Sequence, residues 1–177
     1  MKYLGVTLTK NLSWSAHIHN ICGKAFKKLG FVKRIVGRSE EKVRERCYFA
    51  LVRPHLEYAC SVWDPAEKCC IKEIEKVQRK AIRFVKNCYD KSVSVTEMLK
   101  NAEWESLEKR RLTLRINLLN KFRETTFSED VADIMRPPCY IGRSDSAKKI
   151  REIDAKTNRF KNSFFPRTIR ESNRIGI

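Results

Sequence analysis

Residues 71–89 read IKEIEKVQRKAIRFVKNCY, and the fold turns on how this stretch coils. At about 100° per residue, the angle of an α-helix, Ile71, Ile74, Val77, Ala81, Ile82, Val85, Cys88 and Tyr89 fall on one side. Lys72, Lys76, Arg79, Lys80, Arg83 and Lys86 fall on the other, diluted only by Glu73 and Glu75. The spacing predicts a helix with one buried face and one cationic face. A charged face is ordinarily a solvated one that keeps the protein soluble. Solvated faces mix signs, however, because like charges four residues apart cost a few tenths of a kcal/mol. A single-sign stripe therefore calls for an acidic partner lying along it.

The rest of the chain extends the same charge. Its 177 residues carry a net charge of +17, with 42% hydrophobic and 33% charged residues. That length suits one domain, or one domain with an appended segment. The balance speaks for nucleic acid, an anionic membrane surface or an acidic protein. No apolar run reaches the ~18 to 20 residues that span a bilayer, and Met1 leads directly into strand-like sequence, so we expect neither a membrane segment nor a secretory signal. The seven cysteines are odd in number and scattered, and most sit in apolar surroundings. They read as small buried hydrophobes in a reducing compartment, cytoplasm or nucleus, and not as a disulfide framework.

Upstream of the deciding stretch, residues 2–8 (KYLGVTL) read as a strand that needs a neighbour. Either its partner is missing from this chain, or residues 12–14 fold back against it. Ser13 or Ser15 suits the cap of a helix running to about residue 36, which Gly37 stops. Its apolar stripe is Ile18, Ile21, Cys22, Ala25, Leu29, Val32 and Ile35. Ser39 caps the next helix, carrying Val43, Cys47, Phe49, Ala50 and Leu51, and Pro54 predicts a kink or a fresh start. Residues 55–63 read as an apolar helical stretch at the centre of the core. Asp64, Pro65 and Glu67 resemble a capping box that opens the deciding helix.

Downstream, residues 94–100 predict a short helix and residues 104–124 a long one. The long helix has a stripe of Trp104, Leu107, Arg111, Leu114, Leu118 and Phe122, broadened by Leu112, Ile116 and Leu119. Residues 128–135 make one more short helix before Pro137 and Pro138. The remaining tail has few aliphatic residues and no clear helical period. From residue 136 onward it holds eleven Lys or Arg against four Asp or Glu, a net of +7. Residues 160–169 suit short strands or, alone, a partly ordered extension. The fold class expected is mostly α: a helical bundle with a short N-terminal β-strand and a basic, partly irregular extension. The divisions are 1–14, 15–124 and 125–177.

Chemistry is harder to find. Asp64 reads as a cap, and Asp90, Asp130, Asp133, Asp145 and Asp154 are dispersed. None forms the paired carboxylates of a two-metal site. His17, His19 and Cys22 lie on one predicted helix, where positions i and i+2 point apart, so they make no zinc site. Cys69 and Cys70 form no CxxC pair, His55 has no nucleophile partner, and no glycine-rich phosphate loop exists. We expect no catalytic residue, metal or cofactor. The six cations of the stripe are the candidate site, each reaching a phosphate of a duplex backbone without reading its sequence.

Several short motifs resemble the region downstream of the catalytic core in non-LTR, LINE-type, jockey-like retrotransposon reverse transcriptases. They are Tyr3-Leu4-Gly5-Val6, Val52-Arg53-Pro54 with Leu56-Glu57-Tyr58, Trp63-Asp64-Pro65, and Val77-Gln78-Arg79-Lys80-Ala81. Leu107 with Arg110-Arg111, and Ser163-Phe164-Phe165-Pro166-Arg167-Thr168-Ile169, complete the series in the family's order. The resemblance implies that Tyr3, Leu4 and Gly5 form a primer-grip-like strand at the palm–thumb junction. It implies that residues 15–124 form a thumb that holds the template–primer duplex, RNA–DNA or DNA. Many relatives carry Trp after the Arg-Glu pair at 170–171, where this chain has Ser172. Fingers, palm and the aspartate-bearing polymerase motif have no counterpart here. The resemblance thus implies a fragment of an RNA-directed DNA polymerase that is not itself an enzyme. The rival readings are a basic protein-interaction module and a non-functional translated relic.

Overall fold

The computed structural model describes residues 1–125, 129–140, 142 and 149–176, with the side chains of residues 129 and 130 excepted. The fold is mostly α, with one short antiparallel hairpin at the N-terminus. The chain divides into two compact units, 1–110 and 111–177.

The first unit opens on β1 (Lys2–Tyr3) and β2 (Val6–Thr7), in register Lys2 to Thr7 and Tyr3 to Val6. The strand expected over residues 2–8 is thus two strands, and it is its own partner. Leu4 at φ 43° and Gly5 at φ 85° supply the two left-handed positions of a tight hairpin turn. The fold-back of residues 12–14 is not needed.

Helix α1 (Ser15–Val36) buries Ile18, Ile21, Cys22, Ala25, Leu29 and Val32, while Ile35 stays exposed. Gly37 follows it in an ordinary right-handed conformation, yet a Cβ there would lie 2.4 Å from the Lys33 carbonyl oxygen. Glycine is required for space and not for its φ. Gly37→Ala is expected to lower the urea midpoint by the equivalent of about 1–3 kcal/mol. Gly23, inside α1 with nothing near its Cβ position, should give the opposite sign, about +0.5 to +1 kcal/mol on Gly23→Ala. Equal signs would show that Gly37 has room.

Helix α2 (Glu41–Leu51) faces the core through Tyr48, which is not among the apolar residues expected to line it; Val43 and Leu51 are exposed. Pro54 gives the fresh start, at the first position of α3 (Pro54–Glu57). The helical stretch expected to run on from there is broken. Ala59 is left-handed, at φ 52°, and separates α3 from α4 (Cys60–Trp63). The break lets Leu56, Cys60 and Trp63 all reach the core. The expected capping box fails for a local reason. Asp64 precedes proline, which disfavours the helical region, and it sits at φ −53°, ψ 113° as the end of α4. Glu67 instead precedes α5 (Lys68–Val85). Then come α6 (Val95–Asn101), capped by Ser94, and the start of α7 (Leu107–Glu124).

The second unit holds the rest of α7, α8 (Glu129–Ile134), α9 (Asn158–Lys161) and α10 (Phe164–Ile175). The start expected at Ser128, the side chain of Asp130, and Asp145 lie outside the described residues. Leu119, Ile150 and Ile169 form a small core, flanked by Ile134, Met135, Ile153 and Phe165. The strands considered for residues 160–169 are absent, because most of that segment is helical. In α10 the buried positions are Pro166, Thr168, Ile169 and Ser172. Pro166 is tolerated in the first turn, where no helical acceptor exists for its missing N–H. Residues 149–157 are irregular but tied down. Asn173 exchanges two hydrogen bonds with the Ile150 backbone, at 3.1 and 2.8 Å.

Candidate nucleic-acid interface

Helix α5 sets the geometry. Its buried side is Cys70, Ile74, Val77, Gln78, Ala81, Ile82, Phe84 and Val85, so the middle of the expected apolar face goes to the core, while Ile71 is half-buried and lies on the cationic side. The helix is shorter than expected. Asn87 turns left-handed at φ 50°, the conformation with which helices commonly end. Cys88 and Tyr89 therefore leave the helix, and Tyr89 is exposed. Arg44 secures the end, donating to the Val85 carbonyl from Nε at 3.0 Å and Nη2 at 2.7 Å. This is a favourable place for a cation, at the negative end of the helix dipole.

The six cations of the stripe separate into two sets. Lys72, Lys76, Arg79 and Lys80 are exposed. Among the described residues, no acid or carbonyl pairs with Lys72, Lys76 or Arg79. Lys80 lies over the Phe26 ring, its ammonium 4.9 Å from the centroid. Arg83 and Lys86 are half-buried and occupied within the protein. Arg83 donates to the carbonyls of Asp90 at 2.6 Å and Val93 at 3.2 Å, pinning the turn between α5 and α6. Lys86 pairs with Glu41 at the start of α2. The two acids of the stripe are also occupied. Glu73 meets His19 at 3.2 Å, and Glu75 accepts the Glu108 backbone N–H at 2.8 Å, capping α7.

An open groove of about 750 Å³ runs along this face. Lys68, Lys72, Lys76, Arg79, Lys80 and Arg83 line it, with the apolar Ile71 and Val95 and the acids Glu75 and Glu108 among them. Lys33 of α1 lies over the rings of Phe84 and Tyr89 at 5.6 Å each. Burial, and then repulsion from Lys80, holds its ammonium below the usual lysine range. Tyr3, Leu4 and Gly5 do not line the groove. They sit on the exposed hairpin, where the Leu4 carbonyl accepts the Tyr58 hydroxyl at 3.1 Å.

Residues that position the face include several that periodicity does not reveal. Gln78, on the inner side of α5, donates to the Glu105 carbonyl at 2.8 Å and accepts from the Tyr48 hydroxyl at 3.4 Å. Tyr48 stacks on Trp104 at 4.7 Å, and the Trp104 indole N–H donates to Glu45 at 2.7 Å. Burial pushes the Tyr48 phenol well above its ordinary range. Glu57 receives Arg110, with Arg53 at 3.7 Å, and Arg53 lies 4.2 Å over the Phe49 ring. A glutamine or tyrosine within a polar-looking run gives no periodic signal, since only its fold-wide partners make it a core residue. The histidines and Cys22 do not converge. His17 is buried, accepting the Thr7 N–H on Nδ1 at 3.1 Å, while His19 is exposed.

Among the described residues, no helix is long and apolar enough to cross a membrane. No family model matches the chain, and no solved structure matches it. Two curated proteins of Drosophila melanogaster are similar to it over 90 residues. The probable RNA-directed DNA polymerase from transposon BS is 24% identical, and that from transposon X-element is 29% identical. Each match takes in 49% of this chain but 10% of the relative, so the chain matches about a tenth of their length. About half of the chain is thus related to RNA-directed DNA polymerases of transposons.

Proposed function

We propose that the first unit is a thumb-like element of a non-LTR, jockey-like RNA-directed DNA polymerase, and that it holds a nucleic-acid duplex by its backbone. In this reading catalysis belongs to the fingers and palm of a parent polymerase, and this chain contributes grip alone. One observation carries it: Lys72, Lys76 and Arg79 line a common groove, and among the described residues no acid or carbonyl pairs with them, although Glu75 and Glu108 line the groove too. Residues four apart rise about 6 Å along a helix, and a duplex carries a charge about every 1.7 Å of its axis. Each cation therefore finds a phosphate within reach of its stem. The similarity to transposon polymerases supports nucleic acid over other polyanions.

The test is binding of an RNA–DNA hybrid across a salt series. Lys76→Glu with Arg79→Glu is expected to weaken binding at least tenfold. The salt slope should fall by about 1 for each phosphate that is no longer neutralised. Lys86→Gln should leave the slope unchanged, because Lys86 is paired with Glu41 and does not line the groove. An unchanged slope in the double variant removes this face from the interface. Binding that an acidic polypeptide displaces and hybrid does not would favour a protein partner.

A further inference from the structure

Three ligating groups meet where α5 begins. A carboxylate oxygen of Glu67 and the sulfurs of Cys69 and Cys70 all lie within 4.8 Å of one another. The Cys70 residue is 3% exposed; its thiol donates to Glu67 Oε2 at 3.5 Å and sits 3.7 Å from the Ser15 hydroxyl. Cys69 and Glu67 are exposed, so the cluster is open to solvent on one side. Glu67 immediately precedes the helix and makes no side-chain hydrogen bond to its first turn. Its carboxylate turns toward the thiols instead.

Adjacent residues on a helix point about 100° apart and seldom share a ligand. Here the extended conformation of Glu67, at ψ 123°, bends the chain round the first turn and brings three donors to one point. The free N–H groups of a helix start favour the thiolate once it forms. Two sulfurs and one carboxylate oxygen form a borderline-soft donor set that suits zinc better than magnesium or calcium. Bonds of about 2.3 Å to sulfur and about 2.0–2.2 Å to oxygen put tetrahedral ligand atoms about 3.5–3.8 Å apart. The cluster closes to that size by about 1 Å, a movement that the exposed side chains of Cys69 and Glu67 can make by rotation.

We propose that Glu67, Cys69 and Cys70 bind one zinc ion, with water as the fourth ligand. Each thiol gives its proton to solvent as its sulfur bonds the metal. The ion fixes the turn between α4 and α5 one helical turn ahead of Lys72, and it stands independently of any nucleic-acid role.

Cobalt(II) is the spectroscopic probe, titrated into the reduced full chain and then displaced by zinc. One cobalt per chain is expected, with the visible bands of four-coordinate cobalt and thiolate-to-metal charge transfer. Cys69→Ser and Glu67→Gln each touch an exposed ligand, so the fold should survive, and each should weaken binding at least tenfold. Cys139→Ser, an exposed thiol in the second unit, should leave it unchanged. Cobalt binding of undiminished strength in Cys69→Ser assigns the metal to other thiols and overturns the proposal. Absence of the four-coordinate bands in the unaltered chain overturns it as well.

Discussion

Trp63→Ala is expected to lower stability by about 3–5 kcal/mol, the usual cost of emptying a buried aromatic site. Trp63 is 0% exposed. Its loss removes more than volume. The indole N–H donates to the Tyr58 carbonyl at 2.8 Å, which would be left without that donor. The ring also meets His17 edge-on at 5.3 Å. His17 in turn holds β2 through the Thr7 N–H, and Tyr58 holds the hairpin turn through its hydroxyl. One side chain thus supports both anchors of the N-terminal hairpin. The shift is read as a lower urea midpoint at unchanged slope. The control is Val62→Ala, one residue earlier on the same helix but 59% exposed, with an expected change within about 0.5 kcal/mol. Equal effects of the two would place Trp63 outside the core. Loss of the hairpin's amide protection at intact helix content would be the specific signature.

The contrast between Trp63 and Val62 also shows how much of this fold is readable from the sequence. The α5 face is legible because Ile74, Val77, Ala81, Ile82 and Val85 keep the period and the cations keep its complement. Residues 94–100 are legible because Ser94 is a good cap. The four-residue helices around Ala59 are not, since nothing in LEYAC marks a left-handed alanine. The tail fails differently. Its helix α10 buries Thr168 and Ser172 beside Ile169, so the periodic signal is carried by small polar residues that a hydrophobicity pattern discounts. The candidate site is half legible. Periodicity places six cations on one face, but only the fold shows that Arg83 and Lys86 are consumed by Asp90, Val93 and Glu41. The α5 start misleads because Asp64-Pro65 satisfies a capping pattern, while the backbone preference of a residue before proline runs against it.

Charge inside the second unit leads to the other large effect. Glu171→Ala should cost about 3 kcal/mol. Arg115 lies on the inner side of α7 and is 3% exposed. Its Nη2 donates to Glu171 Oε2 at 2.6 Å, and its Nη1 to the Thr168 hydroxyl at 3.2 Å. Arg167 reaches the other carboxylate oxygen at 3.1 Å. Removing the carboxylate takes from the buried guanidinium the anion it meets at 2.6 Å, and breaking a buried ion pair by removing one partner costs about 3–5 kcal/mol. Glu171 keeps 26% of its side-chain surface, and solvent screening moves the expectation to the low end of that range. The pair itself contributes far less than its loss removes, because desolvating both charges offsets their attraction. Arg115→Met combined with Glu171→Leu should therefore restore stability to within about 1 kcal/mol of the unaltered chain, or exceed it. The measurement is the unfolding midpoint of the three proteins, with proteolysis of the C-terminal segment as a local readout. A mild single variant would mean that Arg115 finds water or another acceptor in solution. A double variant as damaged as the single would mean that the carboxylate does more than balance Arg115, with Arg167 the group to examine next.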